Sequence, residues 1–435
     1  MFYHNTKYKF ALWEMSPQAI AGGIIAASAM PQGQLIRRDL RKHRYLQHRL
    51  FDPQVYLAGL DPNSAEPSVI NLASWPWFCE SGVPEYDSDK HGSLSKWKET
   101  HSKDLLRAWP GQAPLDPEEI TKAVRAAVIH QVEFGCEGIL LPTPLTNVVA
   151  QNYEPETLWL DSGLEACHEL QVALPTYATV AISDNVLRGV DPTQNPLLHT
   201  ITNQIAARDK LAGAYIVIEQ AAEDSYVCGI RDTLLSLLVL VDDLVRGAAR
   251  RVIVNYMGTF GAIATAAGCS VWSSGYYLSQ RRFRLPDYDD KIARAFPRFY
   301  SLRLTGDIAL DSDVQAIHRA GLATRLFDDT TASKNLAAGL AAGSYPGSVP
   351  EWQYKASNIA AAGAHYNEVC FKIGVYLSSL DPKKRMEVIH RWLRTSVGLA
   401  DLLKQSGIRT PYYTDVSHQR VWLEAFERWK DHAGV

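Results

Sequence analysis

The stretch "AGAYIVIEQ" at 212–220 is one of four apolar runs that recur along the middle of the chain. The others are "GILLPTP" at 138–144, "PTYATVAIS" at 175–183 and "RVIVNY" at 251–256. Each run follows a segment with helical patterning, and one strand and its helix together take roughly 38 residues. Unbroken apolar runs are typical of parallel strands that are covered on both faces. The sequence therefore predicts an α/β chain built on a parallel sheet.

Repeated strand–helix units fit either an open, doubly wound sheet or a closed (βα)8 barrel. Two observations favour the TIM-type barrel. No strand leads into the G-x-G-x-x-G turn of a dinucleotide-binding sheet. Further apolar runs, including "CSVWSS" at 269–274, also extend the strand count to eight. The first strand is predicted at 48–59, with 71–78 as an alternative, the seventh at 299–306 and the eighth at 322–329.

Three regions are predicted along the chain. Residues 1–47 are expected to form a helical and basic N-terminal extension, within which the apolar run 19–30 is a buried helix too short to span a bilayer. Residues 48–348 would form the barrel, with an insertion rich in Trp and Pro at 61–115. Residues 349–435 have helical patterning throughout, and amphipathic spacing at 385–404 predicts a helix that packs on the barrel or on a partner protein.

Composition excludes few classes of protein. The chain has 435 residues, a net charge of −3 and 46% hydrophobic residues, which is ordinary for a soluble protein and gives no overall case for binding membranes or nucleic acid. A basic stretch at 37–49 fits either a solvated helix face or phosphate contact. The six cysteines are far apart, which indicates a reduced, cytoplasmic protein, and no motif predicts a metal or a cofactor.

Candidate site residues are the polar side chains at the ends of the predicted strands, because the carboxyl ends of barrel strands form the functional face. Asp184 and Glu219 end neighbouring strands and are predicted to be the catalytic acid/base or nucleophile pair. A structural role remains open for each residue, because Asp184 could cap an Asx turn and Glu219 could form a salt bridge with an arginine. The predicted substrate-binding residues are Asp52, Gln54, Asn185, Asn255, Ser274, Tyr276, Arg281 and Arg282.

The two arginines of this set fit two different roles. Their guanidinium groups could hold phosphate or carboxylate in bidentate fashion. They could equally pair with the acidic residues just downstream, which are Asp287, Asp289 and Asp290. The tyrosines at 276 and 277 could stack on a base or could simply pack.

The segment 268–284, "GCSVWSSGYYLSQRRFR", resembles the part of the tRNA-guanine transglycosylases in which a Gly-x-Asp strand leads to the nucleophilic aspartate and then to a Pro-Thr-Arg turn. The resemblance extends over about 120–375. Ser273 or Ser274 stands where that family has the nucleophile. Asp328-Asp329-Thr330 stands where the family has zinc-binding cysteines, and His365 stands at the place of its zinc-binding histidine.

This resemblance implies a barrel that binds a nucleotide or nucleic acid and exchanges or cleaves a base. Since the family's nucleophile is replaced, Asp184 or Glu219 would have to supply the carboxylate. A second hypothesis is a catalytically silent barrel whose C-terminal helices dock a partner protein, for example in a bacterial defence or DNA-modification complex. A third is a barrel lyase or hydrolase that acts on a small metabolite.

Overall fold

Eight parallel strands form the centre of the protein. A computed structural model describes residues 1–6, 22–33, 48–79, 83–148, 153–221, 226–289, 297–310, 312–353, 356–408 and 417–435. The central strands are β1 (Phe2–Thr6), β2 (Gly22–Ala26), β3 (His48–Asp52), β4 (Ile139–Leu141), β5 (Thr176–Ser183), β6 (Gly213–Glu219), β7 (Arg251–Asn255) and β8 (Val271–Ser274).

The strands follow one another around a nearly closed barrel. Their order in the sheet is β3-β2-β1-β8-β7-β6-β5-β4, and each neighbouring pair is parallel. The ring is completed between the two outer strands, where the Glu137 amide donates to the Arg49 carbonyl over 2.9 Å. Each strand therefore lies beside the next one in the sequence. The predicted TIM-type barrel is confirmed, as are the consecutive parallel strands within 138–274.

Helices connect the strands and extend beyond them. Through the barrel they are α1 (Glu66–Ala73), α2 (Ser88–His91), α3 (Leu94–Ala108), α4 (Pro117–Phe134), α5 (Glu154–Glu169), α6 (Pro196–Ala206), α7 (Arg231–Asp242) and α8 (Phe260–Ile263). After the last barrel strand come α9 (Leu278–Arg281), α10 (Asp313–Arg319), α11 (Ala323–Leu326), α12 (Thr331–Ala341), α13 (Ala356–Ser378), α14 (Pro382–Gln405) and α15 (His418–Ala433). An antiparallel hairpin, β9 (Arg298–Ser301) with β10 (Gly306–Ala309), precedes α10.

Local sequence signals explain where the connecting helices begin and end. Asp116 caps α4 by accepting from the amides of Glu118 and Glu119, and Pro117 occupies the first turn, where its missing N–H costs nothing. The helix ends at Gly135, whose φ of 74° lies in the left-handed region that glycine tolerates best. Asn195 and Pro196 begin α6 in the same way.

The predicted ends of the barrel are wrong. The barrel begins at β1 and β2, so the predicted extension contains two barrel strands, and 48–52 is the third strand. The described part of the run 19–30 begins with strand β2 and not with a helix. The alternative first strand, 71–78, overlaps α1, while 299–306 belongs to the hairpin and 322–329 contains α11. The five residues of β2, "GGIIA", are all buried, and periodicity cannot separate a fully buried strand from a buried helix. Most of the basic stretch 37–49 lies outside the described residues.

The C-terminal helices pack on the barrel. Helix α13 lies against β1 and β9, α15 lies against α7, and α14 lies against α15. Hydrogen bonds also attach α15 to the segment before α7, from Trp422 Nε1 to the Cys228 carbonyl at 2.8 Å, and α14 to the hairpin, from Trp392 Nε1 to the Leu302 carbonyl at 2.7 Å. The helical C-terminal region is confirmed. In the described part of the chain, no helix has both the length and the apolar character needed to cross a bilayer.

Candidate functional site

Six of the predicted site residues, with neighbours that were not predicted, form three groups around the carboxyl ends of the strands. The inner chamber comprises Asp52, Gln54, Tyr215, Asn255 and Tyr256, inside the barrel. The rim pair comprises Asp184 and Glu219, at the ends of β5 and β6. The arginine cluster comprises Arg281, Arg298, Asp307 and Tyr366, between the barrel and α13.

The inner chamber is built around the Asp52 carboxylate. Its Oδ2 accepts from the Tyr56 hydroxyl at 2.6 Å and from the Tyr215 hydroxyl at 2.8 Å, and its Oδ1 accepts from the Gln54 amide at 3.1 Å. Asn255 Nδ2 donates to the same Tyr215 oxygen at 2.6 Å. Strands β3, β6 and β7 therefore contribute to one buried polar network, which includes three of the residues predicted to bind substrate.

Two residues of the inner chamber have left-handed backbones. Gln54 follows β3 with a φ of 55°, and Tyr256 follows β7 with a φ of 60°. Gln54 Nε2 donates to the Tyr256 hydroxyl at 3.0 Å, so the two residues are also bonded to each other. Such backbones are strained in residues other than glycine and cluster at functional sites, where the surrounding structure compensates for the strain. Gln171 before β5 and Ala249 before β7 also have positive φ angles, so this strain is found at both ends of the barrel and does not by itself identify the functional end.

We expect Asp52→Asn to reduce the pH dependence of stability. Burial raises the pKa of Asp52 from 3.8 to about 6, although the hydrogen bonds from Tyr56 and Tyr215 act to lower it. The folded state then holds a proton that the unfolded state loses, so stability falls as pH rises from 3.8 to about 6, by about 2–3 kcal/mol. Urea unfolding of the wild type and the variant across this range measures the difference.

The control for that measurement is Asp209→Asn, whose side chain is fully exposed. This variant should keep the wild-type slope of unfolding free energy against pH. Equal slopes for Asp52→Asn and the wild type would contradict the raised pKa of Asp52.

The rim pair consists of two buried carboxyl groups on adjacent strands. Ser183 is in register with Glu219 in the β5–β6 pairing, so Asp184 follows directly beside the end of β6. The Ala221 amide donates to Asp184 Oδ1 at 3.0 Å. Burial raises the pKa of Glu219, the charge of Asp184 adds to that rise, and bonding to Ser183 and the charge of Arg284 oppose it. The two carboxyl groups are thus brought together at the ends of adjacent strands, as the sequence predicted.

The mouth of the barrel is covered by residues 282–288, the cover segment. Its Phe283 forms a parallel bridge to Glu219 and accepts from the Gln220 amide at 2.8 Å. The Phe283 ring is fully buried, with its centroid 5.0 Å from that of Tyr56 and 5.9 Å from that of Tyr256. The cover segment therefore separates the inner chamber from solvent, and a substrate could reach it only after this segment moves.

Both predicted phosphate-binding arginines are engaged within the protein. Arg281 Nη1 donates to Asp307 Oδ2 at 2.7 Å, and its guanidinium lies 3.9 Å from the centroid of the Tyr366 ring. Arg282 makes a bidentate pair with Asp287, with Nε–Oδ2 and Nη2–Oδ1 distances of 2.7 and 2.9 Å. Pairing of Arg282 with Asp287 is one of the two roles that the sequence left open, whereas pairing of Arg281 with Asp307 was not predicted. The structure brings neither guanidinium to the barrel mouth as a free phosphate ligand.

The remaining predicted residues lie in different places. Ser274 is buried with its Oγ 2.8 Å from the Tyr366 hydroxyl, so it points away from the inner chamber. The Tyr276 ring is buried against Arg281 and Arg298, at 6.0 and 4.8 Å from their guanidinium carbons to its centroid. Asn185 is exposed on the rim beside Asp184, unlike the other predicted site residues.

Several side chains of the site were not predicted. Tyr56, Tyr215 and Tyr288 surround Asp52 and Gln54, and Phe283 covers them. A polar tip within an otherwise apolar strand, as for Tyr215 in "AGAYIVIEQ", is a signal that could have identified one of them. Nothing local marks Phe283 as the covering residue.

His365, which stands at the place of a zinc-binding histidine in the resemblance, forms hydrogen bonds within the protein. His365 Nδ1 lies 2.6 Å from Thr330 Oγ1, and its Nε2 lies 2.7 Å from the Tyr300 carbonyl and 3.8 Å from Asp328. Burial lowers the pKa of His365 to about 4 and raises that of Asp328 to about 7. Across the described ranges, no three His, Cys, Asp or Glu side chains are grouped as metal ligands would be. The residues present do not fit a zinc knuckle.

Comparisons with known proteins give little beyond this geometry. No protein-family model and no curated protein sequence matches the chain. One similar solved structure is a probable tagatose 6 phosphate kinase from Sinorhizobium meliloti 1021, at 11% identity and a TM-score of 0.36, covering 99% of this chain and 98% of that one. A similarity of this size supports no argument about function, and the barrel is defined by its own strand order.

Proposed function

We propose that the protein is a barrel enzyme that cleaves or exchanges a base at the glycosidic bond of a nucleotide or nucleic acid. The observation that carries this proposal is the rim pair, in which two buried carboxyl groups lie beside each other at the ends of adjacent strands. Glycosidic chemistry with two carboxyl groups needs one that is protonated and one that is ionised. The loose resemblance of 268–284 to the base-exchanging transglycosylases supports the same class of substrate.

Glu219 has the character of the general acid. Burial and the nearby Asp184 charge both favour its neutral form, which can protonate a departing base. Asp184 accepts a hydrogen bond from the Ala221 amide through Oδ1, and in this proposal it is the nucleophile or the stabiliser of the ribosyl cation. In this scheme, the bond from ribose to base breaks as Glu219 donates its proton, and water or a second base then takes the ribosyl carbon.

Asp52 has a supporting role in this scheme. Its oxygens are occupied by Tyr56, Tyr215 and the Gln54 amide, and Phe283 lies between the inner chamber and the mouth. The inner chamber would therefore hold the strained ends of β3 and β7 in position. A substrate would reach the rim pair only after the cover segment moves. Further contacts would come from the neighbouring surface, where exposed Asn185 lies beside Asp184 and half-buried Tyr226 lies against Arg282, with 4.7 Å between its ring centroid and the guanidinium carbon.

Glu219→Gln and Asp184→Asn should separate binding from turnover. Each change keeps the size of the side chain, so nucleotide affinity should stay within about threefold, whereas base release or exchange should fall by about 10²–10⁴-fold. Affinity by titration at two salt concentrations, together with base release followed by mass spectrometry, measures both effects. The control is Glu165→Gln, an exposed carboxylate on α5. Full turnover in both rim variants would contradict the assigned roles.

The pH dependence of turnover provides a second test of the roles. Activity requires Asp184 ionised and Glu219 protonated, so the rate should rise and then fall as pH increases. Because the pKa of Glu219 is raised, the falling limb should lie above the usual range for a glutamate. A rate that stays constant from acid to neutral pH would exclude Glu219 as the acid.

A silent barrel subunit is the second candidate function. The observation that favours it is burial, because both rim carboxyl groups and the whole inner chamber are closed by the cover segment. Under this hypothesis the C-terminal helices would dock a partner protein, although their main apolar residues already face the barrel. A barrel lyase or hydrolase for a small metabolite would need the same cover to open and would act without a nucleic-acid substrate.

A further inference from the structure

A small cavity lies outside the barrel wall, between β4, β5 and the helices α5 and α6. Among its lining residues are Thr143 after β4, Tyr153 and Glu156 at the start of α5, and Gln204 on α6. The space open to a water-sized atom is about 10 Å³, which is the room that one water molecule or one atomic ion needs. The cavity can therefore hold a single small occupant.

The polar groups at this cavity lack partners. Glu156 Oε2, Thr143 Oγ1 and the Tyr153 hydroxyl are buried without a hydrogen bond of good geometry, although the Tyr153 hydroxyl lies near that of Thr146. The three residues are 6%, 4% and 5% exposed. Three orphaned oxygens around one small space require an explanation, because buried polar groups are ordinarily satisfied.

Glu156 also lacks an opposite charge. Its Oε1 accepts from Thr146 Oγ1, and no lysine, arginine or histidine among the described residues acts on it as an opposite charge. The carboxylate stands in the first turn of α5, where the helix dipole favours its ionised form. A buried carboxylate with only partial compensation is costly, and a bound cation would remove that cost.

We propose that this cavity binds one monovalent cation, potassium or sodium, through Glu156, Thr143 and Tyr153. The buried atoms without hydrogen-bond partners at this cavity are all oxygens, and oxygen ligands suit hard cations. A single carboxylate balances one positive charge, whereas a divalent ion would keep an uncompensated charge in a buried place.

The cation would stabilise the wall of the barrel next to the rim pair. Thr146, which bonds Glu156, also donates its amide to the Ala181 carbonyl and accepts at its carbonyl from the Ser183 amide. The turn after β4 is thereby attached to the end of β5, directly before Asp184. The proposal does not depend on the enzymatic function, because a silent barrel would bind the cation equally.

Calorimetric melting in potassium chloride, sodium chloride and choline chloride at equal ionic strength tests the site. Choline is too large for the cavity, so the wild type should melt about 1–3 °C higher in at least one of the alkali salts, with a saturable dependence on concentration. Glu156→Gln should lose this difference, and Glu165→Gln on the same helix should retain it. Equal melting of the wild type in all three salts would mean that a water molecule alone occupies the cavity, and would overturn the proposal.

Persistence of the salt difference in Glu156→Gln would also overturn it, because the ion would then bind elsewhere. If that variant fails to fold, Thr143→Val decides, since it removes one oxygen and keeps the shape of the side chain. Its melting should respond to the cation only at about tenfold higher concentration. An unchanged saturation concentration in Thr143→Val would exclude the site.

Discussion

Replacing Asp307 by Ala is expected to lower the free energy of unfolding by about 3–5 kcal/mol. Asp307 is 4% exposed and balances two buried arginines, Arg281 at 2.7 Å and Arg298 at 3.3 Å. Without it, two guanidinium groups would remain buried beside tyrosine rings, and the rings can replace only part of the lost interaction. Chemical unfolding monitored by circular dichroism measures the loss.

Asp401→Ala is the matched control for Asp307→Ala. Asp401 also lies 2.7 Å from an arginine, Arg420, but the Arg420 side chain is largely exposed and that of Asp401 is partly exposed. Its removal should cost at most about 1 kcal/mol. Equal small losses in the two variants would show that the arginine cluster contributes little, and would reopen a ligand-binding role for Arg281.

Deleting residues 383–435 is expected to leave an insoluble protein. Helix α15 buries Trp422, Phe426 and Trp429 completely or nearly so against α7 and α14. Each such aromatic side chain is worth about 3–5 kcal/mol in a core, so together they match the whole stability of a typical domain. The deletion would also expose the apolar face of α7. Partition between soluble and insoluble fractions after expression measures the outcome.

Single substitutions in α15 separate packing from docking. Trp429→Ala should lower the free energy of unfolding by about 3–5 kcal/mol, whereas Glu424→Ala, on the exposed side, should change it by less than about 0.5 kcal/mol. A soluble and folded product of the 383–435 deletion would show instead that the region is a separable interaction module.

The middle of the barrel could be predicted from sequence because β4 to β7 are regular. Continuous apolar runs and capped helices repeat there at nearly constant spacing, so several signals agree. The start of the barrel could not be predicted in the same way. Strand β1 has five residues and includes His4 and Asn5, both buried, and β2 is a run of glycine and isoleucine that fits either a strand or a helix.

Only those site residues that lie at the carboxyl ends of strands could be predicted from the sequence. Asp184 and Glu219 follow from the rule that barrel strands present their carboxyl ends to the site, and the structure brings them together. Partners that are distant in sequence could not be predicted. Asp307 reaches Arg281 from the hairpin, and Tyr215 reaches Asp52 across the barrel, so neither contact follows from a local pattern.

The central claim is that the rim pair breaks a glycosidic bond. Release of free base from mixed RNA, DNA and nucleotides, followed by mass spectrometry, tests it most directly. We expect the wild type and Glu165→Gln to release or exchange a base from at least one of these substrates, and Glu219→Gln to lose the activity. Folded wild-type protein that releases no base from any of them, or equal release by Glu219→Gln, would contradict this account.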